Sequence, residues 1–342
     1  MGENLVSSWS DGKTLPKNYI FPPDKRPGEH NVPMSKSLPV IDLSNVDGQE
    51  RKKTIQKIIE ASHDFGFFQV INHGVPRKLL DATREVVKEL FELPIEEKSK
   101  IYSLDLSKIC MLYSSNVDYE REEIHNWRDS LRLVCTPLEE CIHSWPEKPP
   151  EFRKNVGKYV IKVRELGLRI LELISEGLGL EPKYFANELS GWQVMSIHHY
   201  PPCPDPSLAL GTRKHGDTGL VTILLQDHVP GLQVLNDGEW IGVEAIPDAF
   251  VINIGYQLQM ISNGKLRSAE HRVVANKNEV RNSVALFIQP TIESIIEPAK
   301  ALVNAENPAV YKSVRFADFL HTFRAAYSGH IEDVLEPYLL TT

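Results

Sequence analysis

Residues 214–227 read KHGDTGLVTILLQD. His215 and Asp217 are two positions apart, and on an extended strand the side chains of i and i+2 point to the same face. An imidazole and a carboxylate are thereby aimed at one point. The LVTILL that follows is a β-branched and aliphatic run, the pattern of a buried strand. The pair is therefore mounted on sheet scaffold, and the rest of the chain is read outward from it.

A second histidine, His271, stands in another strand-like run, SAEHRVV. Two histidines and one carboxylate on one sheet face occupy three adjacent positions around a metal and leave the others open, the arrangement of non-haem Fe(II) oxygenases. Farther on come Arg281 and Ser283, again two apart and on one strand face. A guanidinium beside a hydroxyl suits a small carboxylate ligand held by charge-assisted bonds. Each piece alone is common; the ordered set on strand-like segments is not.

Beyond Trp192 the chain consists of short strands separated by turn signals, which predicts an all-β sandwich or barrel. VMSIHHY leads in, VLNDGEW is a hairpin with Asn236, Asp237 and Gly238 at its tip, SNGK is a turn, and VALFIQP closes the series. The first half is organised differently. Residues 1–37 are polar and proline-bearing and read as an irregular arm. LPVIDL and FGFFQVINHG are strand-like, with His73 in the turn after the second and given a structural role. Gln49–His63, Arg77–Leu93 and a long segment from Glu151 to about Leu178 carry apolar residues at helical spacing, with Gly179 as the stop. Residues 100–125 read as irregular, the charged run DYEREE (118–123) as a solvated face, Trp127–Cys135 as strand-like, and Phe316–Tyr327 as a final helix.

The chain has 342 residues, 42% of them hydrophobic and 25% charged, enough for a substantial core. A net charge of −8 argues against a nucleic-acid backbone or an anionic membrane as partner, because both attract a basic face. Cys110, Cys135, Cys141 and Cys203 show no paired spacing and read as reduced packing residues. MGENLVSSWS lacks the basic and apolar regions of a signal peptide, and Val6 stands where a myristoylation signal has Ser or Thr. No apolar run is long enough to span a bilayer. A cytoplasmic monomer acting on a small molecule is the expectation.

With these residues in place the chain resembles the plant-type Fe(II)/2-oxoglutarate-dependent dioxygenases. The likeness runs from about Pro39 to about Tyr327 through LPVIDLSN (38–45), DFGFFQVINHGVP (64–76), HYPPCPDP (199–206), the stretch 226–255 and SNGKLRSAEHRVV (262–274). NWRDSLRL (126–133) and SWPEKPPEF (144–152) draw it toward the branch of hyoscyamine 6-hydroxylase-like and downy-mildew-resistance-type oxygenases. The resemblance implies a mixed α and β fold: a double-stranded β-helix, or jelly roll, over 191–300, braced by a mostly helical region 38–190 that includes the long helix, with the helix and tail of 301–342 packed on the core. It implies Fe(II) on His215, Asp217 and His271. It further implies 2-oxoglutarate gripped by Arg281 and Ser283 and touched by Tyr200, O2 as oxidant, and ascorbate as reductant. The products are succinate, CO2 and a hydroxylated or desaturated alkaloid, phenolic acid or flavonoid. Phe287 is expected beside the pocket. Two positions depart from the family pattern: His198, where Asn is frequent, and Tyr256, where many members carry Asp. Both are expected to bear on substrate, Tyr256 if its ring turns toward the barrel mouth; the alternative is that this ring covers hydrophobic neighbours outside the barrel. His199 is next to His198, and at most one of the two can face inward. A zinc hydrolase has no need of Arg281 and Ser283, a non-catalytic receptor of this fold would have lost a ligand, and an iron oxidase of this fold would not use 2-oxoglutarate.

Overall fold

Strand periodicity sorts the chain into an inner and an outer face. The computed structural model describes residues 5–10, 14–28, 32, 38–327 and 333–340; Gly2 and most of 29–37 lie outside them. The strands of the two main sheets are β1 (Val40–Asp42), β2 (Phe67–Ile71), β3 (Cys110–Ser114), β4 (Asp129–Val134), β5 (Trp192–Tyr200) and β6 (Leu210–His215). They continue with β7 (Val221–Gln226), β8 (Leu232–Asn236), β9 (Glu239–Gly242), β10 (Phe250–Ile254), β11 (His271–Val274) and β12 (Arg281–Gln289). Eight form one sheet in the order β1-β2-β10-β7-β12-β5-β4-β3, and four form a second in the order β6-β11-β8-β9. These two sheets make the jelly roll.

Between the sheets lies an apolar cluster that includes Phe67, Tyr200, Leu232, Val234, Val251 and Val273. The alternate residues of the large sheet, such as Phe68, Ile197, Ile223, Ile252, Leu286 and Ile288, belong to a second cluster on the opposite face. That face is covered by helices α1 (Arg51–Asp64), α2 (Arg77–Glu92) and α3 (Phe152–Gly177). α3 buries Val156, Tyr159, Val160, Val163, Leu166, Ile170, Leu173 and Ile174, the 3.6-residue stripe of its sequence. Burying one such aliphatic side chain stabilises by about 1.5–3 kcal/mol, so this stripe holds the sheet flat against the helix. Gly167 permits the close approach, since a Cβ there would lie 2.3 Å from Ile288 Cδ1 and 2.5 Å from Ile223 Cδ1. The helix ends where predicted, at Gly179 with φ +74°. α4 (Tyr256–Ile261) lies between β10 and β11, and α5 (Phe316–Tyr327) follows the core strands.

The β8–β9 hairpin is as expected: Asp237 and Gly238 both have positive φ, the requirement of a type I′ turn. β1 to β4, from the largely helical region 38–190, also pair into the eight-stranded sheet. Other expectations need correction. The stretch 100–125 is not wholly irregular, because Cys110–Ser114 pairs with β4. The described part of the arm is more regular than read, with a short helix at Val6–Trp9 and 3-10 turns at Lys17–Tyr19 and Pro23–Lys25. Val6 and Tyr19 are buried against Trp127 and Cys203. The four cysteines are free thiols, three of them buried. Among the described residues no helix is long and apolar enough to cross a membrane.

Candidate active site

β6 ends at His215, antiparallel β11 begins at His271, and the two are direct partners in the ladder. Their imidazole centroids are 4.2 Å apart. The turn after β6 brings Asp217 to both, with Oδ1 3.8 Å from Nε2 of His215 and 3.8 Å from Nε2 of His271. One ligand atom from each of the three lies within 4.8 Å of the others, the one such group of His, Cys, Asp or Glu among the described residues.

Partners on the far side of each residue leave these atoms free. Nδ1 of His215 is 2.9 Å from the Arg213 carbonyl, and Nδ1 of His271 is 3.3 Å from the Ala269 carbonyl. A carbonyl only accepts, so Nδ1 carries the proton and Nε2 keeps its lone pair for a metal. Asp217 accepts on Oδ2 from the Thr222 hydroxyl at 2.6 Å and from the Asn253 side-chain amide, which leaves Oδ1 to face the imidazoles. Burial first, then the neighbouring His271, brings the pKa of His215 down to about 3. The imidazole is therefore neutral, the ligating form. The donor set, one carboxylate oxygen and two imidazole nitrogens on one side, fits Fe(II) with open positions.

The Arg281 pair lies on the facing sheet. In the β12–β5 ladder Arg281 is opposite Tyr200 and Ser283 opposite His198. Arg281 is only 1% exposed, yet just one of its nitrogens is satisfied by the protein: Nη2 donates to Gln226 Oε1 at 2.9 Å, while Nε and Nη1 are buried without partners. An unsatisfied buried donor costs about 1–3 kcal/mol. A planar carboxylate answers that deficit with two parallel bonds. Tyr200 supports the guanidinium, whose carbon lies 5.1 Å from the ring centroid. The residues present therefore fit 2-oxoglutarate as well as the metal.

His198 and His199 obey the alternation. His198 faces inward, its Nδ1 2.8 Å from the Ser130 hydroxyl; burial, then Arg128, Arg281 and His215, depress its pKa well below the usual histidine value. It thus sits near the arginine and the His215–Asp217–His271 cluster without joining that cluster. His199 faces outward, stacked on Phe91 at 4.6 Å and bonded to Asn282 Oδ1 at 2.8 Å. His73, as expected, is structural: Nε2 donates to the Asp248 carbonyl at 2.7 Å and the ring meets Phe250 edge-on.

A cavity of about 260 Å³ opens beside the ligands. His215, Asp217, His198 and Phe287 line it, with Trp192 and Val194 of β5 and Leu320 and Phe323 of α5. Tyr256 is not among its walls, so of the two placements of its ring the one at the mouth is corrected and the one against hydrophobic neighbours holds. Gly255 caps α4, so Tyr256 begins a helix and its ring turns toward α5, 5.9 Å from Phe319 and 6.4 Å from Phe323. Its phenol instead covers the H-x-D turn. A Cβ at Gly216 would lie 2.6 Å from Tyr256 Cζ, and the Tyr256 N–H donates to the Asp217 carbonyl at 2.8 Å.

Several site residues escaped the sequence reading. Thr222, Asn253 and Gln226 are polar residues in apolar strand runs, and a polar group in such a run must have a partner; that was the available signal. Arg128, Arg132 and Arg324 line the cavity. The charged run 118–123 is not simply a solvated face: the Glu122 side chain is 3% exposed and pairs with Arg213 at 2.9 Å. That pair steadies the residue whose carbonyl fixes the His215 tautomer.

Residues 191–290 match the model of the 2OG-Fe(II) oxygenase superfamily, and residues 38–151 match that of the non-haem dioxygenase in morphine synthesis N-terminal region. The chain belongs to the 2-oxoglutarate/Fe(II)-dependent oxygenases. Protein DOWNY MILDEW RESISTANCE 6 of Arabidopsis thaliana is 45% identical over 94% of this chain and 95% of its own length. Hyoscyamine 6-dioxygenase of Hyoscyamus niger is 42% identical over 98% of both. Among solved structures, that of JOX2 in complex with 2OG, Fe, and JA is similar at a TM-score of 0.86 and 33% identity, covering 98% of each chain. This oxygenase is accordingly a 2-oxoglutarate-dependent dioxygenase that uses Fe(II) and acts on a small molecule.

Proposed function

We propose that this oxygenase hydroxylates or desaturates a small specialised metabolite, with His215, Asp217 and His271 holding Fe(II) and Arg281 and Ser283 holding the distal carboxylate of 2-oxoglutarate beside Tyr200. The observation that carries the reading is the buried Arg281, whose Nε and Nη1 have no partner, on a sheet that faces three free ligand atoms. With Fe(II), 2-oxoglutarate and O2 bound, the metal supplies the oxidising chemistry, and succinate and CO2 are released. The chain's own residues bind and orient. Thr222 and Asn253 aim the Asp217 carboxylate, the Arg213 and Ala269 carbonyls hold the imidazoles, and Phe287, Leu320 and Phe323 exclude water from the cavity. The unpartnered Nε and Nη1 of Arg281 favour a 2-oxoglutarate oxygenase over an iron oxidase that has no use for that co-substrate. The complete ligand set favours an enzyme over a receptor.

The relatives named for hyoscyamine and flavanone chemistry support an alkaloid, a flavonoid or a phenolic acid as the substrate. The same reading takes the enzyme as a cytoplasmic monomer with ascorbate as external reductant, and four free thiols agree with a reducing compartment. The test is succinate formation by the Fe(II)-loaded enzyme with 2-oxoglutarate across a panel of these three classes. At least one compound should stimulate 2-oxoglutarate consumption and gain or lose the expected mass. Succinate release that no compound stimulates, with no product, would contradict the proposal.

A further inference from the structure

The cavity wall is unusually cationic for a pocket that also has an apolar side. Arg128 stands just before β4 and Arg132 within it, four residues apart and so on one face. The ladders set the rows of this face: Ser283, His198 and Ser130 lie side by side, and the next row is Ala285, Ser196 and Arg132. Arg132 is therefore about 7 Å, one same-face repeat, from the row of Ser283. Phe287 and Val194 form the row after that. Arg324 reaches the cavity from α5, with Leu320 and Phe323 on the same helix.

The arginines differ in what already occupies them. Arg128 is bonded to the Thr212 hydroxyl at 2.7 Å and to the Ser115 carbonyl at 3.2 Å, which makes it a brace between strands. Arg132 donates only to the Lys108 carbonyl at 3.3 Å, and among the described residues neither Arg132 nor Arg324 has an ion-pair partner. Asp118 also lines the cavity but pairs with neither. Burial, and after it the charge of Arg324, keeps Arg132 below its ordinary pKa. The half-buried Arg132 and the exposed Arg324 place two like charges at one small cavity, and a bound anion answers both.

We propose that the substrate is a carboxylic acid with a compact apolar body, its carboxylate held by Arg132 and Arg324 and its body against Phe287, Val194 and Phe323. The proposal rests on the oxygenase reading above, in which 2-oxoglutarate occupies Arg281 and leaves this second cationic pair to the substrate. It selects the acid among the three candidate classes, because a cationic amine is repelled by the pair and a neutral ring system leaves it unanswered. The cavity of about 260 Å³ is at the small end for ligand pockets, which fits a compact acid.

The test compares acids with their own amides, which match in shape and lack the charge. Benzoate, phenylacetate, cinnamate and indole-3-acetate, each beside its amide, are titrated calorimetrically into the anaerobic Fe(II) enzyme saturated with 2-oxoglutarate, so that Arg281 is filled. Wild type, Arg132→Gln and Arg324→Gln are used, and the 2-oxoglutarate dissociation constant is measured for each. At least one acid should bind about tenfold or more tighter than its amide to the wild type, as a charge-assisted bond demands. That preference should fall below about threefold in both variants, while 2-oxoglutarate binding, the check on their folding, is unchanged. Acids that bind no better than their amides, or variants that keep the full preference, overturn the proposal alone. A wild type that fails to bind 2-oxoglutarate overturns the oxygenase reading beneath it, and this assignment with it.

Discussion

Arg281→Met removes a fork and a charge from a site where the protein itself uses only one of the three nitrogens. In the ligand-free enzyme the loss is the Nη2 bond to Gln226, worth about 1 kcal/mol, and the support the guanidinium gives to Asp227, whose carboxyl burial already pushes up. The gain is relief of two unpartnered buried donors, Nε and Nη1, at about 1–3 kcal/mol each. These terms leave the ligand-free variant no less stable than wild type. For 2-oxoglutarate nothing compensates, since the variant has neither prong nor charge. Arg281→Lys is the graded control: it keeps the charge and loses one charge-assisted bond of about 1.5–3 kcal/mol, which raises the dissociation constant by about ten- to 150-fold. Urea unfolding of the anaerobic Fe(II) enzyme reads both quantities. At a 2-oxoglutarate concentration of 100 times the wild-type dissociation constant, wild type gains about 2.7 kcal/mol, Arg281→Lys a fraction of that, and Arg281→Met nothing. Full protection of Arg281→Met would place the carboxylate elsewhere, and a ligand-free loss above about 4 kcal/mol would make Arg281 a structural ion.

Burial holds the outward-facing His199 below the ordinary histidine value against the opposing pull of Asp129, Asn282 and Glu92. The unfolded chain then takes up a proton below about pH 6.5 that the folded chain refuses, so the group's contribution is present above that pH and lost as pH falls through it. His199→Gln should flatten the acid limb of urea stability by about one proton, or 1.4 kcal/mol per pH unit, and an unchanged slope would refute the assignment. Tyr256→Asp should destabilise by about 2–4 kcal/mol, because it puts a carboxyl against Phe319 and Phe323, whereas Tyr256→Phe stays within about 1.5 kcal/mol. Relative rates on two substrates of different size should be the same in Tyr256→Phe as in wild type; a changed ratio would return the phenol to the pocket.

What the sequence disclosed were the features that follow strand periodicity. Arg281 and Ser283 on one face and the inward His198 against the outward His199 are consequences of a repeat of two, and the helical stripe of α3 follows equally from a repeat of 3.6. His215 and Asp217 do meet, but through the turn after β6 and not by strand alternation, since the strand ends at His215. What remained hidden depends on pairing between distant segments. Nothing local in CMLYS says that it adds a strand outside β4, and nothing in LPVIDL says that it borders β2. The direction of the Tyr256 ring stays open in the sequence because it is set by α4 starting at Gly255 and by where α5 packs, not by the strand that precedes it. Glu122 sits in a charged run, and only the fold brings Arg213 to it. The spacing of Arg128 and Arg132 was visible, but that their face looks into the cavity emerges only from the β4–β5 register.

The central claim is that His215, Asp217 and His271 together hold one Fe(II), and anaerobic titration of Fe(II) into the metal-free enzyme tests it most directly. Calorimetry on wild type and Asp217→Ala, with circular dichroism to verify that the variant is folded, gives the stoichiometry and the affinity. The structure predicts one Fe(II) per chain in wild type and no stoichiometric binding in Asp217→Ala, with succinate formation lost alongside it. A folded Asp217→Ala that binds one Fe(II) with wild-type affinity and turns over 2-oxoglutarate at the full rate would contradict it.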